Sequence, residues 1–138
     1  MEGSTHGQEG DVSRESIQRF FEMYAERYMA FDADAIASMY EVPFLAVRES
    51  RTIHLGDPEA VREHLVALMD GYRNSGATQV TIADLQITQF DRTSALATVC
   101  WHAIGDDGAL LRAFGTSYQI LRQEPAGWRI LSYTYHDN

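Results

Sequence analysis

Cysteine is nearly absent from the 138-residue sequence, with Cys100 its single representative. One thiol excludes an internal disulfide and a thiolate metal cage, and suits a reducing compartment. Its place within an apolar run marks it as a buried, inert thiol. Basic residues are also scarce, 11 against 20 acidic ones, for a formal net charge of -9. Nucleic-acid binding needs a clustered Lys/Arg surface, which these scattered residues do not supply. No run approaches the roughly 18 apolar residues of a membrane span, and no basic segment followed by an apolar one opens the chain as a secretory signal would. The expectation is a cytoplasmic protein that engages neither nucleic acid nor membrane. Nucleotide-binding and acyl-enzyme motifs (G-x-G-x-x-G, the P-loop, the nucleophile elbow) are missing too.

What is present is a hydrophobic content of 45% in a chain of single-domain length, enough for a core that needs no metal or disulfide. Residues 1–12 are polar and Gly-rich and read as a disordered tail or an appended remnant, leaving 13–138 as the domain. Ile17, Phe20, Phe21, Tyr24, Tyr28 and Phe31 then recur at three- and four-residue steps, the spacing of an amphipathic helix. Asp32 reads as the cap of a shorter helix reaching about Tyr40, stopped by Pro43. Phe44–Val47 and Thr52–Leu55 read as a small edge hairpin. Asp57 and Pro58 are cap and first-turn residues of a third helix, with Val61, Leu65, Leu68, Met69 and Tyr72 inward and Gly76 as its stop.

Four strands complete the pattern. Residues 78–90 form a long one whose inward parity switches between Ile82 and Leu85, which predicts a bulge at Ala83 and Asp84 and a curled sheet. Ala95 to Tyr135 reads as a three-stranded meander with turns at Gly105–Gly108 and Glu124–Gly127. Centring the first hairpin between Asp106 and Asp107 sets Trp101 opposite Arg112, Val99 opposite Phe114, Ala97 opposite Thr116 and Ala95 opposite Tyr118. Leu131, Tyr133 and Tyr135 join that bulky, aromatic face. The other face, with Leu96, Thr98, Cys100, His102, Ser117 and Ile130, is smaller and mixed. An antiparallel sheet with one wet face should alternate polar and apolar side chains. Here neither face is plainly polar, which predicts helices over one and a second copy of the chain over the other.

The segments FDADAIASMYEVPF, GDPEAVREHL and GWRILSYTYH, in this order, resemble the NTF2-like superfamily of SnoaL-like and ketosteroid-isomerase-like proteins. The resemblance spans Ser13 to His136. It implies an α+β cone, three N-terminal helices packed on a curved, mainly antiparallel sheet. Its members include isomerases, dehydratases, cyclases, epoxide hydrolases, dioxygenase small subunits and binding or assembly domains, so the fold leaves the activity open. Their cofactor-free enzymes use a carboxylate or His as base in the cone and a Tyr or protonated Asp toward the oxyanion. Where the last strand of the family often carries His, this chain has Ser132 and Thr134, with His136 just beyond.

Asp32 and Asp34 fall where a helix needs a cap and an anion, a structural role. Asp84 at the bulge and His102 beside Cys100 are the acid/base candidates, against solvated-bulge and dimer-contact readings. His54 and His64 read as surface or rim groups. Arg112 is either an anion-binding fork stacked on Trp101 or a snorkelling rim residue. Tyr28, Tyr40, Trp101, Arg112, Phe114, Tyr118 and Tyr133 are the predicted pocket residues. Ligand spacing for a metal is missing and no cofactor is expected. The expected function is binding of a small apolar organic molecule in the cone, with a cofactor-free isomerase, dehydratase or cyclase as the alternative and a protein-assembly module as the second.

Overall fold

The computed structural model describes the backbone of residues 2–125 and 127–136, with side chains from Arg14 onward. The reading of residues 1–12 as a tail lies outside the residues described with side chains. The first helix, α1 (Glu2–Met29), carries Ile17, Phe21, Tyr24 and Tyr28 into the core as its periodicity requires. It ends in a left-handed turn at Phe31 (φ 57°), whose ring lies 4.2 Å beneath the Arg73 guanidinium.

Helix α2 spans only Ala33–Ala37, capped by Asp32, whose carboxylate accepts from the Ala35 amide at 3.1 Å. The expected helix to Tyr40 is thus too long, because the chain turns extended at Tyr40 to start strand β1 (Tyr40–Arg48). Pro43 sits within that strand and does not precede it. A ring without an N–H is tolerated there because the β1 ladder to its parallel neighbour shifts register between Tyr40 and Leu45.

Strand β2 (Arg51–Leu55) closes the small edge hairpin. Helix α3 (Pro58–Ser75) starts at the Asp57 cap and stops at Gly76, whose φ of 83° is the left-handed conformation that glycine adopts without a Cβ clash. The remaining strands are β3 (Ala77–Gln89), β4 (Ser94–Gly105), β5 (Leu110–Gln123) and β6 (Gly127–His136).

All six join one sheet in the order β2-β1-β6-β5-β4-β3, antiparallel except where β1 runs parallel to β6. The register of β3 on β4 slips between Ile82 and Asp84, so the predicted bulge is real and both Ile82 and Leu85 turn inward.

Two register expectations are corrected. The first meander turn contains four residues and a bulge beside Ile104, which moves β5 so that Trp101 pairs with Phe114, Ala97 with Tyr118 and Ala103 with Arg112. The slip is even, so the same residues keep the same face. In β6 a bulge at Leu131 reverses parity: Ile130 and Trp128 point into the core together with Tyr133, and Leu131 does not.

The three helices cover the aromatic face, and the core lies between the layers. On the uncovered face Thr98, Ser117 and His136 form a short chain of hydrogen bonds, each 2.8 Å. Among the described residues no helix is long and apolar enough to cross a membrane.

Candidate functional site

The aromatic face does not close on the helices along its whole length. Phe21 fills one end, its ring 4.7 Å from that of Tyr118 and 6.4 Å from that of Trp101. Toward the other end the layers diverge around a cavity of about 460 Å³, within the size range of small-molecule sites.

Its walls come from four directions. From α1 come Tyr24 and Tyr28, one helical turn apart. From α3 comes a second stripe, Leu68, Gly71, Tyr72 and Ser75, beside the core stripe of Val61, Leu65 and Met69. Alternate residues of β4, β5 and β6 form the floor, because a strand sends every second side chain to one face. Arg48, last residue of β1, joins at the rim.

Six predicted pocket residues line this cavity: Tyr28, Trp101, Arg112, Phe114, Tyr118 and Tyr133. Tyr40 does not. It lies behind Tyr24, giving its hydroxyl to, or taking one from, that neighbour at 2.8 Å while its ring stacks on Phe44. Arg112 also differs from expectation in its partner: its guanidinium lies 5.4 Å from the ring centres of Phe114 and Tyr135, with no stack on Trp101 among the contacts described.

The acid/base candidates are elsewhere. Asp84 is exposed just after the bulge, accepting from Gln86; it pairs with Cys100, and alternation with the inward Leu85 turns it to the outer face. His102 sits on the uncovered face, because it alternates with the inward pair Trp101 and Ala103. Asp34 is exposed and takes a 2.7 Å bond from Arg62 of α3, so it links two helices. His54 is exposed on β2.

Among the described residues the inner cavity is polar through hydroxyls and one indole. Trp101 Nε1 donates to the Tyr118 hydroxyl at 3.0 Å. Burial pushes the Tyr24, Tyr28, Tyr72 and Tyr118 hydroxyls well above their usual ionisation range, so they remain neutral donors at physiological pH.

Among the described residues the one imidazole near the cavity is His64, a position that reads as surface or rim in the sequence. It lies on α3 one turn before Leu68, half-buried, with Nε2 2.6 Å from the hydroxyl of Tyr133 and its ring stacked at 6.0 Å. Arg48 adds a longer contact, 3.4 Å, to the same hydroxyl. Desolvation first, and the Arg48 charge second, lower the His64 pKa below 6.5. Its neutral form is therefore the ground state, able to accept the Tyr133 proton. The sequence carried one signal for it: position 64 is four residues before Leu68, on the edge of the inward stripe.

A pH dependence follows from that shift. A histidine whose folded pKa lies below its unfolded value leaves the unfolded chain holding more protons as pH falls. Stability is fully present above about pH 6.5 and declines as pH drops from there through the folded pKa. Thermal melts between pH 8 and 5 should show that decline, and His64→Gln should flatten it. An unchanged slope in the variant would remove His64 as its source.

One further polar atom stands out. The Tyr135 hydroxyl is buried and has no hydrogen-bond partner among the described residues, a state that costs about 1–3 kcal/mol. Its ring belongs to the cavity wall. No group of three or more His, Cys, Asp or Glu among the described residues could hold a metal ion.

Comparison with known proteins fits this architecture. The family described as NTF2-like protein (DUF6841) matches residues 14–138. An NTF2-like protein with a cystatin-like fold from Novosphingobium aromaticivorans superposes with a TM-score of 0.71 at 14% identity, covering 98% of this chain and 88% of that one. Aln2 from a Streptomyces species gives 0.73 at 14%, covering 91% of each chain. A candidate scytalone dehydratase from Novosphingobium aromaticivorans gives 0.71 at 9%, covering 94% and 86%. Identities this low establish the fold alone. No curated protein matches the sequence.

Proposed function

Because the chain belongs to the NTF2-like family DUF6841 over residues 14–138, we propose that its cone is a binding pocket for a small, largely apolar organic molecule. The observation that carries the reading is the cavity of about 460 Å³ walled by Tyr24, Tyr28, Tyr72, Trp101, Phe114 and Tyr118. A wall of rings offers flat apolar area with directed hydroxyls, the composition of an organic-ligand site.

Trp101 provides the test. It faces the cavity, whereas Trp128 is tied at 2.9 Å to Ser16 away from it. Titration with a small neutral aromatic, 2-naphthol, should change Trp101 emission saturably, and NMR shifts should cluster on the cavity wall. Shifts confined to the uncovered sheet face, or no saturation, would reject the pocket.

The second reading is a cofactor-free isomerase, dehydratase or cyclase, and the contact between His64 and Tyr133 favours it. A neutral imidazole on a cavity-facing phenol makes a route by which a proton leaves or enters the pocket. The nearby Arg48 would stabilise negative charge developing beside Tyr133. Catalysis predicts that a bound carbonyl compound exchanges an acidic C–H with solvent deuterium, and that His64→Gln stops the exchange. Binding with no exchange leaves the pocket reading alone standing.

We also propose that a second copy covers the uncovered face around Thr98, Ser117 and Cys100 and that the protein resides in the cytoplasm. Sedimentation giving a monomer at all accessible concentrations would reject the dimer.

A further inference from the structure

We infer that the sheet edge along residues 78–82 of β3 is a docking groove for an extended segment of another protein, one with lysine or arginine at alternate positions. β3 is an outer strand, paired with β4 on one side alone, so N–H and C=O groups along its other side point away from the sheet. The opposite outer strand, β2, has five residues, whereas β3 has 13. Natural sheets blunt long edges. The second half of β3 is blunted: a bulge between Ile82 and Asp84 interrupts it, and Arg14 of α1 donates to the Leu85 carbonyl at 3.0 Å. Among the described residues, nothing outside the sheet hydrogen-bonds to the backbone of residues 78–82.

A groove of about 700 Å³ follows this open stretch. Five consecutive β3 residues line it, Thr78, Gln79, Val80, Thr81 and Ile82. A pocket on a sheet face would take every second residue, so the groove runs along the edge. Its other wall is one flank of α1 between Gln18 and Met29, exposed at Glu22, Met23 and Glu26. The helix wall is about 16 Å long and the strand wall about 13 Å, room for an extended segment of about four or five residues.

Charge defines the segment. Glu22 and Glu26 stand one helical turn apart, and among the described residues neither carboxylate has an ion pair or hydrogen bond. Side chains on one face of an added strand are spaced about 6.6 Å, and the two glutamates about 6 Å along the helix. Lysines at alternate positions would lay their hydrocarbon stems on Met23 and Met29 and their ammonium groups on the glutamates. Main-chain pairing with β3 would give the affinity, and these contacts the specificity. Arg19, the cation of the wall, stands toward one end of it. A second copy of this chain fits worse. Pairing β3 with its own counterpart would bring both pairs of glutamates to one seam, on chains that each carry a net charge of -9.

The probe is a labelled heptapeptide alternating lysine and valine, compared with a copy carrying glutamate for lysine. Both are titrated into the unmodified protein at pH 7 and low salt, with anisotropy as the readout. The lysine peptide should saturate and bind at least about tenfold more tightly than the glutamate copy, as expected when two exposed ion pairs become two repulsions. Alternate amides of a strand point to opposite edges. Methylating one alternate set of the peptide's nitrogens should therefore abolish binding, and methylating the other set should spare it. Glu22→Lys combined with Glu26→Lys should weaken the lysine peptide at least about tenfold. Glu63→Lys combined with Asp70→Lys makes the same change in total charge at exposed positions of α3 outside the groove, and should weaken it less than about threefold. If the groove variant fails to fold by circular dichroism, the two methylated copies on the unmodified protein decide.

A lysine peptide that does not saturate, or binds no better than the glutamate copy, would overturn the inference. So would equal effects of the two methylation patterns, or a folded groove variant that binds as the unmodified protein does. Amide protection at residues 78–82 that rises with protein concentration, without peptide, would assign the edge to a second copy and overturn it too. All of these outcomes are independent of the cavity, whose wall includes none of the four exchanged residues.

Discussion

Phe21→Ala is expected to destabilise the protein by about 3–5 kcal/mol, more than any other substitution considered for this fold. Phe21 has no exposed surface, and its ring touches Phe20, Tyr24, Trp101 and Tyr118 at centroid distances between 4.7 and 6.4 Å. Truncation loses the transfer energy of the ring and adds a void. The surrounding rings cannot collapse into that void, because two of them are pinned through hydroxyls: Tyr24 to Tyr40 and Tyr118 to the Trp101 indole. The loss therefore belongs at the upper part of the range for a buried aromatic. Urea unfolding should show a lower midpoint with an unchanged slope. A loss below about 1 kcal/mol, the ordinary effect of a point mutation, would mean that α1 is not seated on the sheet as described.

Legibility in the sequence follows the physics of each signal. Periodicity locates α1, α3 and the long strands because burial enforces it directly: Val61, Leu65 and Met69 on α3 cannot be one position off without exposing themselves. The Ala83 bulge is readable for the same reason, since a parity switch between Ile82 and Leu85 has no other covalent solution. The Leu131 bulge is not, because Ile130 and Leu131 are both apolar and either could face inward; the strand partner decides between them. The extent of α2 is misleading because Pro43 looks like a helix stop, whereas it lies where the β1 ladder to β6 changes register.

The candidate site divides similarly. Residues that alternate along one strand, Arg112, Phe114 and Tyr118, come together as their parity demands. The roles of His64 and Arg48 are hidden because what brings them to Tyr133 is the packing of α3 and β1 against β6, a contact between residues 69 and 85 positions apart. No local pattern encodes such a meeting. His102 illustrates the converse: next to Trp101 in sequence, it is on the opposite side of the sheet.

Gly71→Phe is expected to weaken ligand binding by about 10- to 100-fold, the equivalent of the 1–3 kcal/mol that overpacking costs, with the fold retained. Gly71 lies inside α3, where glycine costs about 0.5–1 kcal/mol relative to alanine. Nothing in its backbone asks for glycine, and a Cβ built there meets no atom within 4 Å. Gly71 is exposed and lies at the mouth of the cavity, whose wall it forms with Leu68 and Tyr72. A side chain at this position would therefore grow into volume that the ligand is proposed to use. Two substitutions separate the effects. Gly71→Ala should raise stability by about 0.5–1 kcal/mol and leave most of the cavity open. Gly71→Phe should keep part of that helix gain, since an aromatic side chain loses χ1 freedom in a helix, pack its ring against Tyr28 and Tyr72, and exclude 2-naphthol. Thermal melts and Trp101 titrations on both variants read the two quantities independently. If Gly71→Phe is folded and binds 2-naphthol as the unmodified protein does, the ligand does not occupy the cone, and the glycine in α3 is left without a functional explanation.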